Sequence, residues 1–217
     1  VNGAAQLPLQ GAGGLVKLRL ELTDGRTVFS KNEYDLLVGE RLEILPKNSA
    51  WRVVEADKFS HKQIRKLRRD IRRGAQVVVL HAGKKAMRLL PGIVDSVMEK
   101  PGEMVQMRVP ESPVFEGIGP LDLCWWNSGE PGRPVSCPRS YYVHPQRNVE
   151  LLAQFTVTHG AINPAFHKRH ERVREFTGFP LVAVKFGKGR AVLCELNLEF
   201  ADSDPVAGRL LRNLLAR

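Results

Sequence analysis

The chain has 217 residues, 43% of them hydrophobic and 26% charged, and carries a net charge of +10. That composition is ordinary for a globular protein and excludes a low-complexity or disordered chain, while the length exceeds one typical domain without filling two. No apolar run approaches the ~20 residues of a membrane-crossing helix, so a membrane partner is not expected.

Residues 1–14 are rich in Gly, Ala, Gln and Pro and read as a linker or the cut edge of a longer chain, with neither Met nor a signal-like apolar stretch at the start. From Leu15 the pattern alternates, with Val16, Leu18, Leu20 and Leu22 on one face and Lys17, Arg19 and Glu21 on the other. This predicts a half-buried strand. Asp24-Gly25 signals a hairpin turn, Arg26 to Phe29 returns, and Leu36-Leu37-Val38 closes the segment. Residues 15–39 therefore read as the last strands of a β-sandwich, since a few strands do not hold together alone.

The period changes after residue 50. Trp51 to Glu55 is a short predicted strand; Ser60 with Gln63 forms a capping box, and Ile64, Leu67 and Ile71 mark the buried face of the helix that follows. Its other face is crowded with Lys and Arg, which reads as a solvated surface. Val77-Val78-Val79-Leu80 is a continuous apolar run suited to a strand buried on both faces. His81-Ala82-Gly83 makes a sharp turn, and Lys84 to Leu90 a short helix stopped by Pro91-Gly92. Strand, sharp turn and helix is the place where open α/β sheets bind ligands, and where hydrolases and amidotransferases carry a Ser or Cys nucleophile. Here the turn carries neither.

Met104 to Val109 is predicted as a further strand. Pro110 to Pro138 then holds six prolines and the pair Trp125-Trp126, in the manner of a lid or binding loop. Arg139 to Val143 and Leu151 to Thr158 read as strands, and His167 to Glu175 as a charged helix. Leu181 to Phe186 and Arg190 to Leu196 form a hairpin around Gly187-Lys188-Gly189, and Asp204-Pro205 opens a closing helix with Leu210, Leu211, Leu214 and Leu215 on its core face. Alternating strands and helices over residues 50–217 predict an α/β domain with a mostly parallel sheet and flanking helices.

Several of these segments look familiar together. Ser30-Lys31-Asn32-Glu33-Tyr34-Asp35, after Asp24-Gly25, resembles the last strands of the immunoglobulin-like domains of family 2 glycoside hydrolases. Ser112 to Ile118, Gly187 to Leu196 and Asp204 to Leu215 resemble segments of class I glutamine-amidotransferase-like (flavodoxin-like) domains. The resemblance implies the C-terminal part of a bacterial β-galactosidase- or β-mannosidase-like enzyme, cytoplasmic or exported, with a β-sandwich remnant ahead of the α/β domain. The parent would be a glycosidase; this segment, a non-catalytic accessory to it. Its partners would be the parent's other domains, with carbohydrate and a second copy of the chain as further candidates and no cofactor. A working glutaminase needs an elbow Cys and a His-x-Glu after the last hairpin, where this chain has Glu195-Leu196-Asn197-Leu198-Glu199.

The alternatives are a small-molecule enzyme on an amidotransferase-like or sugar-utilisation-type fold, and a basic nucleic-acid-binding domain. The last is disfavoured because the cations are spread over helices without interleaved aromatics. Cys194 within a strand reads as a buried small hydrophobe, and Glu195 and Glu199 as structural or surface groups. Cys124 and Cys137 could pair if the protein is exported, though the odd count of three cysteines gives that no support. His167, His170 and Glu171 sit among so many cations that no metal is called for. Trp125 and Trp126 remain the most suggestive side chains, one of them expected to cover the empty nucleophile site or, if exposed, to hold a sugar ring. Asp57, His81 and Lys84, each following a strand end, are their candidate polar neighbours.

Overall fold

The computed structural model describes residues 14–38, 49–124, 136–159 and 174–216. They form a mixed α/β protein with a mostly sheet core and few helices. The first segment is a separate two-stranded antiparallel sheet, β1 (Gly14–Thr23) and β2 (Val28–Val38). Its turn is fixed by Asp24, whose Oδ1 accepts hydrogen bonds from the backbone N–H of Arg26 and Thr27 at 2.9 and 2.7 Å. The expected half-buried face is largely open at its turn end, with Leu20 50% and Leu22 65% exposed.

The main sheet has eight strands in the order β3 (Trp51–Glu55), β4 (Gln76–Leu80), β10 (Gly189–Cys194), β9 (Arg174–Phe186), β7 (Ser140–Val143), β5 (Val94–Met98), with β8 (Val149–His159) along the other edge of β9 and β6 (Gln106–Met107) on β8. β3 (Trp51–Glu55) and β4 (Gln76–Leu80) are parallel, joined by α1 (His61–Arg72). The capping box forms: the Ser60 side chain accepts from Gln63 N–H, and the Gln63 side chain accepts from Ser60 N–H at 2.7 Å. α2 (Lys85–Leu89) leads from β4 to β5 (Val94–Met98), a strand absent from the sequence reading. β6 is only Gln106–Met107, so the strand predicted over Met104 to Val109 is corrected to two paired residues and an isolated bridge at Met104. β7 (Ser140–Val143), β8 (Val149–His159), β9 (Arg174–Phe186) and β10 (Gly189–Cys194) follow, and α3 (Pro205–Leu215) closes the chain.

Parallel pairing is confined to β3, β4 and β10; every other pair in the sheet is antiparallel. The mostly parallel sheet is thus corrected. A parallel pair needs a long crossover connection, and the second half of the chain instead turns its strands by short returns such as Gly187-Lys188.

Alternation across β4 splits the core in two. Val77 and Val79 pack with α1 and α2 through Ile64, Ile71, Ala86 and Leu89, whereas Val78 and Leu80 pack with α3 through Leu210 and Leu214. All four residues of the run are buried, which is why the strand is apolar on both faces. α3 starts at Asp204, whose Oδ1 accepts from Ala207 N–H at 2.8 Å, with Pro205 in the first turn.

Of the segment expected to be helical, Arg174 and Glu175 begin β9; His167 to Arg172 lie outside the described residues, as does Val173. Cys124 and Cys137 are free thiols.

Candidate functional site

The parallel strands β4 and β10 end side by side, with Leu80 opposite Cys194 and His81 N–H bonded to the Cys194 carbonyl at 3.0 Å. At the next step the chain departs from the strand. His81 has φ of 50°, the one non-glycine residue with positive φ among those described. That conformation costs a side-chain-bearing residue of order 1 kcal/mol or more, and such strain concentrates at ligand and active sites. A strained residue on a strand-to-helix turn is the geometry of a nucleophile elbow. Here it presents an imidazole.

The imidazole stands between two carboxylates. His81 Nε2 lies 2.8 Å from Glu199 Oε2, and Nδ1 lies 3.6 Å from Glu195 Oε2. Burial disfavours the charged imidazole, but the hydrogen bonding and negative charge of Glu195 and Glu199 outweigh it and raise its pKa to about 9. His81 is therefore a cation at neutral pH. Burial likewise pushes Glu199 up, and its bond to His81, its own backbone N–H and the imidazolium charge bring it below its ordinary value.

Glu195 is the centre of the cluster and is wholly buried. β9 explains how a carboxylate reaches that position. β10 pairs with β9 up to Leu181, Glu195 N–H bonds Pro180 O at 2.8 Å, and β7 then takes up the same edge of β9 through Tyr141 and Phe179. Glu195 and Tyr141 thus meet where one neighbour of β9 hands over to the next. The Tyr141 hydroxyl donates to Glu195 Oε1, which also accepts from Gly83 N–H at 2.8 Å. Burial first, then the charge and bond of Glu195, hold the Tyr141 phenol well above its usual pKa. Arg139 Nε faces Glu195 Oε2 at 3.1 Å, yet that oxygen has no well-directed hydrogen bond. Gly83 makes room for this arginine: a Cβ there would stand 2.6 Å from Arg139 Nη1.

Access is partial. The His81 side chain is 14% exposed and that of Glu199 36%, so the ring edge and the second carboxylate reach solvent while Glu195 does not. The arrangement can hold a proton on His81, stabilise it from two sides, and pass it to a polar group arriving at the edge of the sheet. Nucleophilic thiol chemistry has no place here, because Cys194 is fully buried and burial pushes its thiol well up.

Of the residues singled out from sequence, His81 lies at the centre of this cluster. Lys84 turns to the surface and pairs with Glu99 at 3.2 Å. Asp57 is exposed, and its backbone carbonyl accepts from Lys85 Nζ, tying the turn after β3 to the start of α2. Neither is a partner of His81. Trp125 and Trp126 lie outside the described residues. Arg139 and Tyr141 were not foreseen, and Glu195 is no surface group. Among the described residues no cluster of His, Cys, Asp and Glu could hold a metal ion.

No protein-family model matches the sequence, and no curated protein matches it. Several solved structures are similar to the chain, two bacterial proteins among them. One is a cytoplasmic protein of Salmonella typhimurium, 12% identical, with a TM-score of 0.43 over 94% of this chain and 96% of that one. The other is a ThuA-like protein from Bacteroides uniformis, 16% identical, with a TM-score of 0.42 over 76% of this chain and 66% of that one.

Proposed function

We propose that the chain is a small-molecule enzyme on an amidotransferase-like fold, in which His81 performs acid–base chemistry from the position that other members give to a nucleophile. The single observation behind this reading is the strained imidazole held between Glu195 and Glu199 at the carboxyl end of the central strand. The residue types are exchanged relative to a glutaminase: the histidine stands on the elbow and the carboxylates follow the last hairpin. A protonated His81 would act as general acid, with Glu199 positioned to take the proton back. Glu195, fixed by Tyr141, Gly83 and Arg139, would set the orientation and charge of the ring. The polar, partly covered edge suits a ligand rich in hydroxyl or carbonyl oxygens, carbohydrate being the leading class.

The test is turnover of a panel of mono- and disaccharides and sugar lactones, followed by product NMR. His81→Gln is expected to lower turnover by about 100-fold or more, the usual contribution of a general acid or base, with an unchanged circular dichroism spectrum. Asp57→Asn should leave turnover alone.

A second reading, an accessory segment of a glycoside hydrolase supporting its other domains, draws on the open apolar face of β1–β2 and the missing elbow nucleophile. If no panel member turns over or shifts the melting temperature, and His81→Gln lowers stability alone, the cluster is a structural pin and the accessory reading stands.

A further inference from the structure

The positive charge is not spread evenly. Residues 61–73 hold five arginines and two lysines against Asp70, a net +6 of the chain's +10. Folding sorts these groups onto one surface, because Ile64, Leu67 and Ile71 are buried against the sheet and leave the opposite side of α1 to the cations. Arg68 donates to the Arg88 carbonyl at 3.4 Å and Arg72 lies over the Phe186 ring at 4.9 Å, so these two are partly engaged. Lys62, Arg65, Lys66 and Arg69 are exposed, with no ion-pair partner among the described residues.

We propose that this face of α1 binds the phosphate backbone of double-stranded nucleic acid. The four free cations recur about one turn, ~5 Å, apart along a helix about 18 Å long. Such a rod suits a linear polyanion better than a compact one: roughly ten phosphates line 18 Å of duplex. Arginine, two of these four cations, grips phosphate oxygens two at a time. The stems of these side chains border a cleft of about 610 Å³. A second cavity of about 230 Å³ shares Gln63 and Lys66 with it and carries the surface across to Arg52 on the edge strand β3.

The same face argues against other polyanions. A membrane-binding helix needs apolar residues to insert, and those of α1 are spent on the core. Single strands are held by base stacking on aromatics; the nearby Phe186 is capped by Arg72 and Phe59 is half-buried. Contact is therefore with the backbone of a duplex, without sequence preference.

The experiment is fluorescence anisotropy of the whole chain with a labelled 20-base-pair duplex of mixed sequence. Binding is expected at 50 mM NaCl, falling about 100-fold by 200 mM as for some four phosphate contacts. The triple variant Lys62→Glu, Arg65→Glu, Arg69→Glu should lose at least 100-fold in affinity. Should it fold poorly by circular dichroism, glutamine at the same positions should still lose at least 10-fold. Lys17→Glu, Arg19→Glu, Lys31→Glu on the β1–β2 hairpin makes the same change in net charge and should lose less than threefold. No binding at 50 mM, or equal loss in both triple variants, overturns the proposal. So does competition by vesicles with 30% phosphatidylserine, or by polyglutamate, as effective as that of unlabelled duplex.

Discussion

At His81 two unfavourable features coincide, a backbone at positive φ and a charge taken partly out of water, and the carboxylates of Glu195 and Glu199 offset the second. The linkage to stability has a definite sign. A histidine whose pKa rises from 6.5 to about 9 on folding contributes stability that is complete below pH ~6.5. That contribution, on the order of 3 kcal/mol, is lost as pH climbs through 9. Glu199 acts in the opposite sense, its contribution present above its ordinary pKa and lost as pH falls. Urea melts from pH 5 to 10 should therefore show the wild type losing stability between pH 6.5 and 9, and His81→Gln losing little over that range. Parallel curves for the two proteins would mean that folding leaves the His81 pKa where it is in the unfolded chain. From the sequence, His81 could be singled out because it follows an apolar strand and precedes a helix. Glu195 could not be placed, although it follows the strand β10, because its burial depends on β7 arriving beside β9. Nothing in Arg139 or Tyr141 announces that arrival.

Elements with local causes were legible and those with distant causes were not. α1 and α3 carry their start signals in Ser60-Gln63 and Asp204-Pro205, and both begin there. β5 escaped notice because its pairing with β7 shifts register between Val94 and Ser96, which breaks the alternation that would reveal it. Met104 to Val109 misled in the other direction: apolar residues recur, but Met104 is 53% exposed and pairing ends at Met107. The β9–β10 hairpin shows what its turn demands. A Cβ on Gly189 would overlap the carbonyl oxygens of Ile71 and Ala75, so the turn is wedged against the end of α1 by backbone alone. Gly189→Ala should destabilise the protein by about 3 kcal/mol, since backbone carbonyls cannot move aside as a flexible side chain can. Thermal melting measures this, and a loss below ~1 kcal/mol would show that the turn is looser than its geometry.

The whole molecule was legible as a division in character. Alternating, polar-flanked strands come first and buried strands with helices follow; β1 and β2 hydrogen-bond only to each other, and the later strands form one sheet. Strand direction was not legible, because composition distinguishes buried from half-buried strands but says little about which neighbour a strand will take. One pairing has a consequence for the time course of folding. β4, the most apolar strand, is held on one side by β3, close in sequence, and on the other by β10, where Leu80 meets Cys194. More than a hundred residues must leave the ribosome after β4 before its second edge can be closed. Non-local closure of that kind slows folding and leaves a sticky strand waiting. Pulse-labelled hydrogen exchange during refolding should find Val77 to Leu80 gaining full protection together with Ala191 to Cys194. Full protection of β4 ahead of β10 would mean that something other than β10 shields it in the interim. In the cell, the interval between the two strands is when the chain is most in need of a chaperone.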